Sequence, residues 1–218
     1  MSFFLFFQSI ISALSLFVLF RCFFYRQTKK SLYFFLLSLS VFFYATGYLL
    51  EMDASSLEAA YYAQRMQHYG IPFISVHFYL FIRDYGNRPV KNPFVFIALY
   101  LLPILVLFFA NAYPDITLYY AHLSFSAHPT PHLIVERGIL YHLHVLCSSL
   151  LILVAAYEIL RYYPSRTVEE RRQKYLFFTA AILPHALTFV LAMDVLPLPM
   201  QLGSAVLVFA LLLWGHYI

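Results

Sequence analysis

The chain has 218 residues, of which 62% are hydrophobic and 11% are charged, and its formal net charge is +4. A soluble domain carries about 25% charged residues, so this composition excludes a soluble protein and indicates an integral membrane protein. No basic groove or RNA-binding motif accompanies the positive charge, and we therefore expect no nucleic-acid partner.

Continuous apolar segments recur along the whole chain. A helix needs about 20 such residues to cross a bilayer, and helices satisfy their own backbone hydrogen bonds there. We predict an all-α membrane protein, a single seven-transmembrane helix bundle over residues 1–218. The first segment has no preceding basic residues and no small-residue cleavage motif, so we interpret it as a span and not as a signal peptide. The predicted spans are 3–25, 31–50, 60–82, 93–112, 139–160, 175–194 and 200–218.

The basic residues predict the orientation of the bundle. Twelve of the 14 lysines and arginines fall in or beside alternate connections, and only Arg65 and Arg137 fall on the other side. The positive-inside rule then places the N-terminus outside and the C-terminus in the cytoplasm, as expected in the cytoplasmic membrane. Cys22 and Cys147 are predicted at different depths on different helices, so we expect no disulfide between them.

The longest connection, residues 113–138, is predicted to lie outside. Five of the nine histidines fall within 122–144, which raises the question of a metal site. His128 and His132 have the spacing of helical ligands, but two prolines between them are incompatible with a helix. We expect this Pro-rich stretch to be an extended turn over the mouth of the bundle.

The other histidines of this segment also argue against a metal site. His142 and His144 are two residues apart on a predicted helix, so their side chains point about 200° apart. We place both at the outer membrane interface and interpret His122 as a polar loop residue. We predict no metal and no cofactor, and metal or pH sensing through His122, His128 and His132 stays open as an alternative.

Ionisable residues close to the outer ends of the helices are candidates for a ligand site, because such groups are costly in a membrane and usually face a partner or a cavity. Mutual pairing is the structural alternative, for instance Glu51 or Asp53 with Arg65. The predicted pocket residues, chosen for depth and polarity, are Tyr48, Glu51, Arg65, His68, Tyr69, Asn111, Arg137, Tyr141 and Asp194.

Two histidines, His77 and His185, are predicted deeper in the bundle. Prolines at 72, 103 and 184 free backbone carbonyls and kink helices, which leaves cavities. We favour hydrogen-bonded histidines in a packed bundle over a binding role for both.

Several functions are excluded by the chemistry that they require. A retinal protein needs a lysine in the seventh span, and residues 200–218 contain none. An intramembrane di-iron enzyme needs repeated His motifs and a serine enzyme needs a Ser and His pair in a recognisable turn, and the sequence shows neither motif. Ion-coupled transporters usually carry repeats and an acidic residue at midplane, whereas the carboxylates here are predicted near the interfaces. We favour a receptor, with a small-solute transporter or a lipid-binding membrane scaffold as the alternative.

The order of polar motifs resembles a bacterial family, the N-terminal seven-helix sensor region that precedes histidine kinase and diguanylate cyclase modules. The resemblance covers essentially the whole chain. It is carried by YLLEMD at 48–53, HYGIPF at 68–73, NAYPD at 111–115, ERGILYHLHVLC at 136–147, ERRQ at 170–173, Pro184 and MDVLP at 193–197.

The resemblance implies a signalling role. In that family the last helix runs into a cytoplasmic linker, often a PAS domain, and then into the output module. We therefore expect this chain, which ends at Ile218, to be the sensor region of a longer protein or a stand-alone relative, without catalytic activity of its own. An extracytoplasmic small molecule, lipid or peptide is expected to bind the outer half of the bundle and to shift the seventh helix.

The resemblance also implies a homodimer, because these kinases and cyclases work as dimers. Gly203, Ser204 and Ala205 form a small-residue patch in the last span, and Ala210 and Gly215 continue it. Such a face allows close helix approach. It is predicted either to form the dimer contact or to pack inside the bundle against a neighbour such as the first helix.

Overall fold

The computed structural model describes residues 3–24, 29–128, 130–163, 166–192 and 202–215. The described part is an all-helical bundle with one small β-hairpin. Its helices are α1 Phe3–Phe24, α2 Lys29–Met52, α3 Leu57–His68, α4 Ile71–Tyr85, α5 Pro93–Asn111, α6 Ile139–Tyr162, α7 Val168–Ala192 and α8 Leu202–Trp214, and its strands are β1 Tyr120–Ser126 and β2 His132–Arg137.

Four helices of the described part are long and apolar enough to cross a bilayer. They are α1, the Leu32–Met52 part of α2, α5 and α6. Large apolar side chains cover their outward faces; Phe94, for example, is 79% exposed in α5. Such a surface requires an apolar solvent, so these helices belong in a membrane.

The predicted third span, 60–82, is not one continuous helix. The chain forms α3 and α4, with the break at Tyr69 and Gly70. Pro72 has no backbone N–H to continue the helical hydrogen bonds across this point. Gly70 packs so tightly on α2 that a Cβ there would lie 1.9 Å from the backbone oxygen of Ser40.

The outer connection also contains two strands, one on either side of the Pro-rich stretch, which the all-α prediction did not include. β1 and β2 pair antiparallel, with Leu123 opposite Val135 and Phe125 opposite Leu133. β1 contains the aromatic residues Tyr120 and Phe125, and β2 contains the β-branched residues Ile134 and Val135, and both types favour strands. The hairpin packs over the ends of α2 and α3, and the residues just before β1 contact the start of α6. We call this the hairpin end of the bundle.

Aromatic side chains fill the core towards the opposite end. The Trp214 ring in α8 stacks on Phe78 at 5.2 Å and lies 5.6 Å from Phe177. Phe81 lies 5.3 Å from Phe34 of α2 and 6.0 Å from Trp214. This aromatic cluster therefore joins α8 to α2, α4 and α7.

An ion-paired group closes the same end, which we call the basic end. Glu158 of α6 accepts hydrogen bonds from Arg83 at 2.8 Å and from Arg88 at 2.6 Å. The Arg88 guanidinium also lies 3.5 Å from the centre of the Tyr162 ring. These contacts fasten the end of α4 to the end of α6.

The helix α7 begins before the apolar residues of the sixth predicted span, because the polar turn there is helical too. Glu170 and Thr167 form a reciprocal cap, in which the Glu170 N–H donates to Thr167 Oγ1 at 3.1 Å and the Thr167 N–H donates to Glu170 Oε2 at 3.0 Å. In a capping box of this kind the polar residue, here Thr167, caps the helix, and the helix begins at the next residue.

The small-residue face of the last helix packs inside the chain. Ser204 is fully buried, and Gln8 Nε2 of α1 lies 3.4 Å from its Oγ. The same Gln8 nitrogen donates to the backbone oxygen of Ala45 at 2.9 Å. Gly203 and Ala205 are buried as well, so α1 occupies this face, as the second of the two alternatives predicted.

Candidate functional site

An open cleft of about 430 Å³ lies between the end of α3 and the end of α5, at the hairpin end. Its walls are mostly apolar, and its polar groups come from Arg65, Tyr69 and Asn111. Three of the nine predicted pocket residues therefore meet at one cleft. The lining residues are Arg65, Tyr69, Ile104, Leu107, Phe108, Asn111 and Ala112.

Arg65 is the cation of this cleft, and neighbouring groups fix its position. Its Nε donates to Asn111 Oδ1 at 2.8 Å, and the Asn111 amide nitrogen donates to the backbone oxygen of Leu107 at 2.7 Å. The guanidinium carbon lies 5.8 Å and 5.7 Å from the centres of the Tyr61 and Tyr62 rings. Cation–π attraction and one hydrogen bond thus hold the side chain at the cleft.

The predicted pairing of Glu51 or Asp53 with Arg65 was wrong. Glu51 is 2% exposed, and its carboxylate accepts the Gln67 amide and the backbone N–H of Leu133, the latter at 2.8 Å. A buried carboxylate needs donors for its lone pairs, and α3 and β2 supply them. Asp53 is exposed at the end of α2.

A second buried group lies under the hairpin, next to Glu51. The Tyr120 hydroxyl lies 3.1 Å from His68 Nε2, and the Tyr119 hydroxyl lies 3.2 Å from His144 Nδ1. The Tyr119 and Tyr120 rings meet edge to face at 4.8 Å. Burial raises the pKa of both tyrosines, which favours their neutral hydroxyl form.

We call this set the hairpin latch, because it ties the two strands to the helix ends beneath them. Its members are buried at the hairpin end and form contacts between different helices and strands. They are Glu51, Gln67, His68, Tyr119, Tyr120, Leu133 and His144.

The other predicted pocket residues that the structure describes do not line the cleft. Tyr48 is buried in α2 at 4% exposure. Tyr141 packs on Tyr119 at 5.5 Å, and the guanidinium of the exposed Arg137 lies 5.2 Å from the Tyr141 ring. Asp194 lies outside the described residues.

The latch also contains residues that the sequence analysis missed. Gln67, Tyr119 and Tyr120 were not singled out, although a glutamine in a predicted span and two adjacent tyrosines at a loop end are polar signals. His144 was predicted at the outer interface and not as part of a buried cluster, and the structure buries its side chain at 5% exposure. The adjacent candidate His142 is exposed, in keeping with the divergent directions of the two side chains.

The outer histidines do not converge. His122 and His128 are exposed, and His132 Nδ1 lies 2.7 Å from the backbone oxygen of Thr130. In the described ranges no three His, Cys, Asp or Glu residues form a group that could hold a metal ion.

The deeper histidines make helix-to-helix contacts. His77 Nδ1 lies 2.9 Å from Ser40 Oγ, and His185 Nε2 lies 3.0 Å from Ser149 Oγ. These contacts agree with the interpretation of both residues as hydrogen-bonded members of a packed bundle.

Nearly the whole chain matches a known protein family. A family model described as the N-terminal 7TM region of histidine kinase matches residues 5–218. The chain belongs to this family. The resemblance predicted from the ordered motifs is thereby confirmed, and the 7TM region is a non-catalytic membrane sensor region of histidine kinases. A search of curated proteins found no match.

Proposed function

We propose that this 7TM region senses an extracytoplasmic ligand and transmits a conformational change through α8 to a cytoplasmic histidine kinase or diguanylate cyclase output. The observation that carries the proposal is the course of α2. One end of this helix holds Glu51 of the hairpin latch, and the other holds Phe34 of the aromatic cluster. The two residues are roughly 25 Å apart along the helix axis.

The proposal includes seven membrane crossings. The third crossing is made of α3 and α4 together, and α7 and α8 are the sixth and seventh. The hairpin end then faces outside, and the basic end, with Arg83, Arg88 and Arg161, faces the cytoplasm, as the positive-inside rule requires. The cleft opens on the outside half of this arrangement in the cytoplasmic membrane.

Ligand binding at the cleft acts on helices that meet there. A ligand shifts an equilibrium only by binding one state more tightly than the other. Contacts with Arg65 and Asn111 depend on the spacing between α3 and α5, so a ligand favours one spacing. Because α3 also contacts the latch through Gln67 and His68, the preferred spacing is passed to α2 and onward to the aromatic cluster.

Trp214 provides a direct test, since it is the chain's single tryptophan and lies in α8. The full chain in nanodiscs is titrated with a panel of fatty acids, acyl homoserine lactones and short peptides. Melting temperature and Trp214 emission are recorded for each compound. We expect compounds that raise the melting temperature also to shift the emission.

The matched control is the same titration with Asn111→Ala, which removes the acceptor that holds Arg65. Hits that act through the cleft lose affinity in this variant. Stabilising compounds that never change Trp214 emission would contradict transmission through α8.

A further inference from the structure

The ligand class follows from the chemistry of the cleft, and this inference rests on the proposed function. We infer that the cleft binds an anionic amphiphile, with a carboxylate or phosphate head on Arg65 and an apolar tail along α5.

The head position is set by the free edge of the Arg65 guanidinium. Its Nε is bonded to Asn111, whereas its two terminal nitrogens form no hydrogen bond with any of the described residues. No carboxylate of the described part lies within 4 Å of this cation. A guanidinium edge with two parallel N–H groups matches a carboxylate or phosphate in a bidentate pair.

The surroundings strengthen such a pair. Arg65 is only partly exposed, and the rings of Tyr61 and Tyr62 flank it. Water has limited access to the cation there, so an anion is attracted more strongly than at an open surface. The exposed ring of Tyr69, four residues after Arg65 at the end of α3, also lines the cleft.

The tail position is set by α5. Ile104 is 54% exposed and Phe108 is 60% exposed, and both line the cleft together with Leu107. From Ile104 to Asn111 the wall extends roughly 10 Å along the helix. An acyl chain fits this wall, whereas a purely polar anion leaves it uncovered.

The same chemistry occurs in a membrane lipid and in a free fatty acid. The experiment uses the full chain in phosphatidylcholine nanodiscs and a photoreactive analogue of dodecanoate, with labelled peptides located by mass spectrometry. Unlabelled dodecanoate and dodecanol, which differ in the head alone, compete for the site. We expect labelling on α3 and α5 and competition by dodecanoate far more than by dodecanol.

Arg65→Gln should weaken competition by dodecanoate by roughly 10-fold to 100-fold, the range for loss of a charge-assisted pair, and should leave dodecanol unchanged. Arg65→Lys should recover part of the affinity, because it restores the charge without the planar edge. Arg161→Gln, the same change at an exposed arginine of the basic end, is the matched control and should have no effect.

The tail is tested at two neighbouring positions of α5. Ile104→Trp fills the cleft and should weaken both competitors, whereas Leu105→Trp alters an exposed residue outside the lining and should weaken neither. Nanodiscs that contain phosphatidylglycerol identify the source. If phosphatidylglycerol suppresses the labelling, the ligand is a membrane lipid, and if labelling persists, the ligand is a free amphiphile. Either result supports an anionic amphiphile as the ligand.

Equal competition by dodecanol and dodecanoate, or unchanged binding in Arg65→Gln and Arg65→Lys, would overturn the inference. Trp214 emission from the same samples separates it from the proposed function. If the cleft labels as expected but emission never responds, the ligand class stands and transmission fails. If another class of compound shifts the emission, transmission stands and the ligand class fails.

Discussion

The carboxylate of Glu51, in the last turn of α2, accepts the backbone N–H of Leu133 in β2 at 2.8 Å. A long-range bond thus fastens the hairpin to a helix of the bundle. Because the acceptor is buried and both of its oxygens accept hydrogen bonds, it orders the strand above it, and the hairpin behaves as part of the bundle. Movement of α2 is therefore expected to move the hairpin.

Removal of this acceptor should loosen the hairpin. In Glu51→Ala, the Leu133 N–H and the Gln67 amide both lose their partner, and buried donors without a partner cost about 1 to 3 kcal/mol each. We expect a lower melting temperature and faster hydrogen exchange of the β1 and β2 amides. Asp53→Ala removes an exposed carboxylate from the same helix end, and an equal effect from it would contradict the latch.

The junction of α3 and α4 should tolerate no side chain at Gly70. Alanine there places its Cβ 1.9 Å from the backbone oxygen of Ser40, and relief requires α2 to separate from the junction. We expect a loss of at least about 2 kcal/mol in the free energy of unfolding, from overpacking. Gly86→Ala, whose nearest contacts lie at 3.3 Å, is the control and should be much milder. Thermal unfolding of the two purified variants compares them.

The ion-paired group at the basic end should stabilise the ends of α4 and α6 in a salt-dependent way. Glu158→Gln removes the charge that Arg83 and Arg88 share, and their side chains are 21% and 39% exposed. We expect a loss of about 1 to 2 kcal/mol at low salt and a smaller loss at high salt, because ions screen exposed charges. Glu169→Gln, at an exposed position of α7, should change neither value in melting experiments.

A larger side chain on the buried face of α8 should lower the stability of the protein. Ala210 is 4% exposed, so Ala210→Leu forces a larger side chain into the packed interior and should destabilise the monomer by about 1 to 3 kcal/mol. Phe209→Leu, at a side chain that is 49% exposed, is the control. Melting temperatures test this effect.

The homodimer stays a prediction, and the same α8 variants separate it from packing within the chain. Cross-linking between copies through an engineered cysteine should survive Ala210→Leu in the protein that remains folded. Loss of cross-linking with unchanged stability would show that this face of α8 is the dimer contact after all.

Local properties of the sequence determined the class of this protein. Length and continuous apolarity are readable along the chain, and a helix satisfies its backbone without distant partners, so α1, α2, α5 and α6 were predicted close to their ends. The ordered motifs identified the family for the same reason, because a motif is recognised from consecutive residues without knowing which side chains are in contact. Arg65, Tyr69 and Asn111 were also found from depth and polarity alone, and the structure brings them to one cleft.

Only the tertiary structure decided which polar groups pair. Arg65 bonds Asn111, 46 positions away, and Glu51 bonds the backbone of Leu133, 82 positions away. Opposite charge predicts an ion pair between Glu51 and Arg65. A buried carboxylate, however, accepts hydrogen bonds from whichever donors the packing brings to it. Here the donors are an amide and a backbone N–H, which are uncharged and therefore cannot be identified as partners from the charge pattern. Pro72 marks the break between α3 and α4 in the sequence, but the need for glycine at position 70 comes from its close approach to α2, which depends on two segments packed together.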